Sequence, residues 1–405
     1  MKSLFYVCDR LRTVDYHTWE GGWAARRGSR SVSEDPDARS ATFQSYLALC
    51  EAYISAEHQE HEVSCLRELF RGCRNVREVT VTCQAACNRR LNGSRTAFDK
   101  VGITPDERYD WKDAGVSQII NLAPAAVASD HCFDSLTLAG ISHRLWNPRN
   151  YEEVLDVQAL IQPLRRLRVT TLSMTEIEED EMAKVVIPSE ATANFRAGRF
   201  QEMLAVASNL RVLKLHFAPY LFAGEKAVYQ QSRLHVREIY LKDILGILMF
   251  PHLYELAISS CGTTSGYLEE VLLRHKQTLR RLTLSHIHMV TVDLHQFFHN
   301  VAGWLPELRK ITLHGITDPQ PWGPPGFRAR VTQGSPDNSL VKYEVENYML
   351  NGGIPPQWNN HFNWVGSEVI ATQKEDYLQS GLPEDNTISD DPKLDYAWDE
   401  FDDRF

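Results

Sequence analysis

The chain has 405 residues, of which 43% are hydrophobic, enough apolar material for a large core and too much for global disorder. Its net charge is −10, and residues 384–405 hold nine acids against Lys393 and Arg404. The body is therefore nearly neutral, and neither a phosphate-binding surface nor a nucleic-acid partner is expected.

The opening MKSLFYVCDRLRTV is charged too early for an export signal. The longest apolar run, Ile244 to Phe250, is too short to cross a bilayer, so no membrane partner is expected. The eight cysteines then read as reduced thiols of a cytoplasmic or nuclear protein.

Taken in order, Leu11-x-x-Val14-x-Tyr16 has the spacing of a short strand, and 20–40 lacks any apolar period and reads as a loop insertion. Phe43, Tyr46, Leu47, Cys50, Tyr53 and Ile54 mark one face of a helix. A second helix over Val63–Phe70 leads into Val76-x-x-Val79-x-Val81. Residues 88–113 form another polar insertion, with Asn92-Gly93 as its turn.

From there a unit recurs, in which a helix is followed by an apolar hexad of the form L-x-x-L-x-L. The hexads start at Phe133, Val169, Leu210, Val236, Leu253, Leu279 and Leu308. Helices are predicted near Val116–Leu122, Tyr151–Leu164, Phe195–Val206 and around Leu268–Leu273. Helix, tight turn and L-x-x-L-x-L make the unit of a leucine-rich repeat, with a period of roughly 20–29 residues. One such unit cannot bury its apolar side alone, so neighbours are implied.

The predicted fold is α/β, an irregular leucine-rich-repeat-like solenoid over 1–316, with parallel strands on one face and helices on the other. Residues 317–380 would cap its end, with Leu340–Leu350 as a last strand or helix. Residues 381–405 form an acidic tail whose composition favours disorder.

Catalytic motifs are weak. His295-Gln-Phe-Phe-His299 lacks the glutamate that a zincin needs after its first histidine. His58, His61, Cys65 and Cys73, or Cys83 with Cys87, lack paired C-x-x-C spacing. Gly262-Thr-Thr-Ser265-Gly266 is one residue too long for a nucleophile elbow and suits a strand-to-helix turn. No P-loop or dinucleotide fingerprint occurs. The expectation is a protein that is not an enzyme and has no catalytic residue, metal site or cofactor.

Strand alternation instead turns the residues between the hexad leucines outward. This gives a candidate partner-binding face of Lys214, His216, Glu238, Tyr240, Lys242, Glu255, Arg281, Lys310 and His314.

The segments LLRHKQTLRRLTLSHI (Leu272–Ile287), FFHNVAGWLPELRKITLHGI (Phe297–Ile316) and VENYMLNGG (Val345–Gly353) resemble fungal F-box/leucine-rich-repeat-like proteins. The resemblance covers the second half of the chain. It implies repeats that select a protein substrate and an F-box that passes it to a cullin-RING ubiquitin ligase through a Skp-type linker. No F-box segment is found before the first repeat strand, so no F-box residue carries over. The reading is a protein-interaction module of that descent with an unknown protein partner. The alternative is a ubiquitin-ligase substrate-recognition subunit with its F-box truncated or missing, and a hydrolase or zinc protein is more remote.

Overall fold

The computed structural model describes residues 2–7, 15–17, 19–20, 36–56, 59–82, 115–147, 150–174, 190–220, 239–289, 294–314, 316–317, 330–331 and 345–354. It divides into two compact units. One comprises residues 1–6, 63–83 and 110–367, and the other 7–62, 84–109 and 368–405. The predicted insertion at 88–113, the acidic tail and the strand positions Leu11 and Val14 lie outside the described residues.

The first unit is α/β and built on a parallel sheet. Its strands are β1 (Ser3–Val7), β2 (Glu78–Thr82), β3 (Ser135–Ser142), β4 (Arg166–Met174), β5 (Val212–Tyr220), β6 (Glu255–Thr263), β7 (Arg281–Met289) and β8 (Lys310–His314). They lie side by side in chain order, β8 on β7. Each pair from β2 to β8 is parallel. A two-residue strand β9 (Ile316–Thr317) also meets β7, and β10 (Arg330–Val331) pairs antiparallel with β9.

Parallel neighbours need a crossover, and most crossovers here are helical. Val116–Ala128 follows β2, Tyr151–Ile161 follows β3, and Glu190–Arg196 with Arg199–Ala205 follows β4. Leu241–Leu245, Ser265–Arg274 and Leu294–Val301 follow β5, β6 and β7. The expected single helix over Phe195–Val206 is two short ones, because Gly198 takes a left-handed conformation with φ of 78° between them.

The core rows run straight across the sheet. Val79, Leu136, Leu167, Leu213, Leu256, Leu282 and Ile311 are in register, as are Val81, Leu138, Val169, Leu215, Ile258, Leu284 and Leu313. All fourteen are buried. Helical residues such as Leu122, Leu160, Met203, Leu272 and Phe297 close the other side of that core.

Two backbone devices set the register. The first hexad residue donates its N–H three residues back at Val76, Leu164, Leu210, Leu253 and Leu308, so these five strands are entered by the same tight turn, while Leu279 donates four residues back to His275. One carbonyl at the start of each strand then accepts two successive N–H groups from the next. Arg77 O takes Asp134 and Ser135, Asp134 O takes Arg165 and Arg166, and Arg165 O takes Arg211 and Val212. Arg211, Tyr254 and Arg280 continue the series to Arg309 and Lys310.

These bonds correct two expectations. The hexad of β4 begins at Leu164, not Val169. Val169 lies one full hexad frame along a nine-residue strand, where Leu172 and Met174 satisfy the pattern a second time. Of the expected strand at Val236–Leu241, residues 236–238 lie outside the described residues, Tyr240 makes a single parallel bridge to Gly262, and Leu241 already begins a helix. Leu241, Ile244 and Leu245 have i, i+3, i+4 spacing and are buried on a short helix. Tyr16 likewise sits in a helical turn and not a strand.

At the far end, a helical segment over 345–351 buries Val345, Tyr348 and Met349. Glu346 accepts the Leu313 N–H of edge strand β8 at 2.8 Å, satisfying an amide that would otherwise invite another strand. Tyr348 Oη is bonded to His299 Nδ1 at 2.9 Å.

In the second unit, Pro36–Ala56 is helical, so its last expected loop residues belong to the helix. Phe43, Tyr46 and Cys50 are buried on it, as the spacing predicts. Phe43 meets Trp19 and Tyr16 at ring separations of 5.4 and 5.3 Å.

One buried histidine carries a pH signature. His275 Nδ1 lies 2.8 Å from Val271 O, and its Nε2 accepts the Phe250 N–H at 3.1 Å. Only the neutral ring fits, with its proton on Nδ1. Burial lowers its pKa from the ordinary 6.5, the Val271 carbonyl opposing this and Arg274 adding to it. As pH falls through 6.5 the unfolded chain takes up the proton first, so this share of stability is present above 6.5 and is lost towards the folded pKa. Replacing His275 with Ala should cost about 1–3 kcal/mol at pH 7.5 by orphaning the Phe250 amide. The variant should also lose less stability than wild type between pH 7.5 and 5.5 in urea melts. A parallel acid response would contradict the assignment.

Candidate interaction face

The side of the sheet opposite the core rows is also ordered in rows. The first runs Glu78, Ser135, Arg166, Val212, Glu255, Arg281, Lys310. The second runs Thr80, Thr137, Arg168, Lys214, Ala257, Thr283, Thr312, and the third Thr82, Ala139, Thr170, His216, Ser259, Ser285, His314. Thr80, Thr137, Arg168, Lys214, Thr283 and Thr312 are neither buried nor fully exposed. The first two rows are therefore largely polar and partly exposed, apart from the buried Val212 and Ala257, while Thr82, Ser259 and Ser285 of the third row are buried and the alternate residues of each strand are core.

Of the nine residues expected there, the structure brings together Lys214, Glu255, Arg281 and Lys310. Lys214 Nζ lies 2.8 Å from Glu255 Oε1, and Arg281 Nη1 lies 3.9 Å from Glu255 Oε2. Lys214 and Glu255 are diagonal neighbours on adjacent strands, the reach that long side chains bridge. Lys310 is in register beside Arg281. His216 and His314 hold third-row positions.

Tyr240 and Lys242 do not belong to these rows. Tyr240 makes one parallel bridge to Gly262 and then precedes the Leu241–Leu245 helix. Its ring has Lys242 Nζ at 5.7 Å and Arg196 Cζ at 6.0 Å from the centroid. The hexad from Val236 projected both residues onto a strand, whereas the chain turns helical at Leu241. Glu238 lies outside the described residues.

The sequence reading also missed residues. Arg166 and Arg168 were hidden by the misplaced hexad of β4. The position just before the first row lies outside the inward-outward alternation, yet it holds Arg77, Asp134, Arg165, Arg211, Tyr254, Arg280 and Arg309, whose carbonyls or amides form the doubly bonded series. Arg77, Arg165, Arg211, Arg280 and Arg309 are exposed. A signal for them existed: they are the first x of L-x-x-L-x-L.

The other chemistry resolves into packing. Thr264 Oγ1 accepts the Tyr267 N–H at 3.2 Å and caps the Ser265–Arg274 helix, while Gly262 lies within β6. Burial pushes the Cys261 thiol up to about 12, far from a reactive thiolate. Tyr267 is also raised to about 12 by burial, with Arg274 opposing the shift. Its hydroxyl and Arg274 Nη1 both donate to Gly246 O at 2.7 Å, pinning a turn where Gly246 has φ of 47°. Cys50, Cys65, Cys73, Cys132 and Cys261 are free thiols. Among the described residues, no group of three or more His, Cys, Asp or Glu side chains converges as metal ligands would. Among the same residues, no helix is long and apolar enough to cross a membrane.

No protein-family description, curated protein or solved structure matches this chain.

Proposed function

We propose that the chain is a protein-interaction scaffold, a leucine-rich-repeat-like solenoid of F-box-protein descent that holds a partner protein on the outward face of its sheet. The observation that supports this most is the pair of largely polar, partly exposed outward rows, the first and second, laid in register over a continuous buried core. A parallel sheet is ordinarily covered by helices on both faces. Here one face keeps exposed and half-exposed polar side chains across seven strands, a broad surface with fixed side-chain spacing.

The test is capture with the full chain and two variants. Thr137→Arg with Thr283→Arg should block the face and lose the captured partner. Glu152→Lys, on an exposed helical position, should retain it. Loss from neither variant would contradict the assigned face. A Skp-type linker in the wild-type eluate would extend the reading to substrate recognition for a ubiquitin ligase.

A further inference from the structure

We infer that the strand-start rim and the first row of the sheet form a basic strip that binds an acidic polypeptide segment, a partner chemistry resting on the scaffold reading above.

The chain carries a net charge of −10, yet this edge has the opposite sign. The rim and the first two rows hold ten arginines and lysines against Glu78, Asp134 and Glu255. The arrangement is periodic because the doubly bonded carbonyls place each rim residue one strand from the last. Adjacent strands lie about 4.8 Å apart, so the rim from Arg77 to Arg309 spans roughly 29 Å, the length of about nine extended residues.

Two carboxylates already show what the strip accepts. Glu255 sits between Lys214 and Arg281, and Asp134 lies 3.9 Å from Arg165 Nε. Arg211, Arg280 and Arg309 are exposed, and their side chains make no hydrogen bond or ion pair with any described residue. Among the described residues they are cations on the rim without a carboxylate partner.

The neighbouring rows favour a polypeptide over a nucleic acid. Single-stranded nucleic acid is held by aromatic platforms on which bases stack. The three outward rows contain threonine and serine instead and no Phe, Tyr or Trp, and the rim has a single aromatic, Tyr254, too few to stack successive bases. Hydroxyls beside a line of guanidinium groups suit carboxylates and peptide amides.

The experiment is fluorescence anisotropy of a labelled, alternating Glu-Ser peptide of about nine residues, the span derived above, titrated with the full chain. Wild type should bind at low salt and weaken as salt rises, since exposed charges are screened over about 8–10 Å. The triple variant Arg211→Glu, Arg280→Glu, Arg309→Glu should bind at least about tenfold more weakly, because like charges now face the ligand. Its melting temperature should stay near wild type, as the three side chains make no bonds that the change breaks.

Absence of salt-sensitive binding, equal affinity of the triple variant, or tighter binding of an oligothymidylate of equal length would each overturn the strip. Partner capture lost in the Thr137/Thr283 variant but kept in the triple variant would reject the strip and leave the scaffold standing. Capture unchanged in both would remove the scaffold as well.

Discussion

Trp146→Ala should lower stability by about 3–5 kcal/mol, the cost of a large cavity where the surroundings relax only partly. Trp146 is wholly buried, and its ring centroid lies 4.3 Å from that of Phe200 at an interplanar angle of 61°. It closes the one-turn 3-10 helix His143–Trp146, whose cap Ser142 accepts the Arg144 N–H at 3.2 Å. Beside it, Asn194 bonds His143 Nδ1 at 2.9 Å and accepts from Asn147. The indole thus joins the exit of β3 to the paired short helices after β4. Trp146→Phe should recover a large part of the loss in urea melts. A loss below about 1 kcal/mol for the alanine variant, typical of surface changes, would mean the turn is packed differently.

Leu282→Ala should cost about 2–5 kcal/mol through lost burial and a residual cavity. Leu282 is 1% exposed and stands in register between Leu256 and Ile311. Arg281→Ala, one residue earlier, should change stability by no more than about 0.5 kcal/mol. Its side chain is half exposed and reaches Glu255 only at 3.9 Å, the kind of surface pair that contributes little. Urea midpoints of the two variants test the register, because a one-residue slip would exchange their faces. Equal destabilisation would overturn the assignment.

Much of the sheet was legible because period-two burial leaves a strong trace. The hexads at Val76, Phe133, Leu210, Leu253, Leu279 and Leu308 all mark strands. The failures have physical causes. In RLRVTTLSM a second apolar pair, Leu172 and Met174, follows Leu167 and Val169, so hydrophobicity alone offers two frames, and only the Leu164 N–H to Ile161 O bond chooses between them. In the hexad from Val236 the last position, Leu241, opens a helix instead, because Leu241, Ile244 and Leu245 have helical spacing and are buried together. Strand β1 shows no alternation, because Leu4, Phe5, Tyr6 and Val7 are consecutive apolar residues.

The candidate face was half legible. Lys214, Glu255, Arg281 and Lys310 followed from alternation once the frame was right. The rim arginines did not, because inward-outward alternation has no meaning before a strand begins. Their common position, the first x of each hexad, is visible in the sequence, but its shared orientation comes from the backbone bonds of the turns, which no side-chain pattern encodes.

The doubly accepting carbonyls also bear on how such a chain tolerates change in length. Successive hexads are separated by as few as 26 and as many as 57 residues, yet every strand from β3 to β8 enters the sheet by the same pair of amides. Alignment is inherited from the preceding strand's carbonyl and not measured out by the connecting segment. Lengthening a flexible connection costs only about 0.6 kcal/mol per doubling. A crossover can therefore gain or lose residues while the outward rows keep their alignment, leaving recognition and connection lengths free to diversify separately.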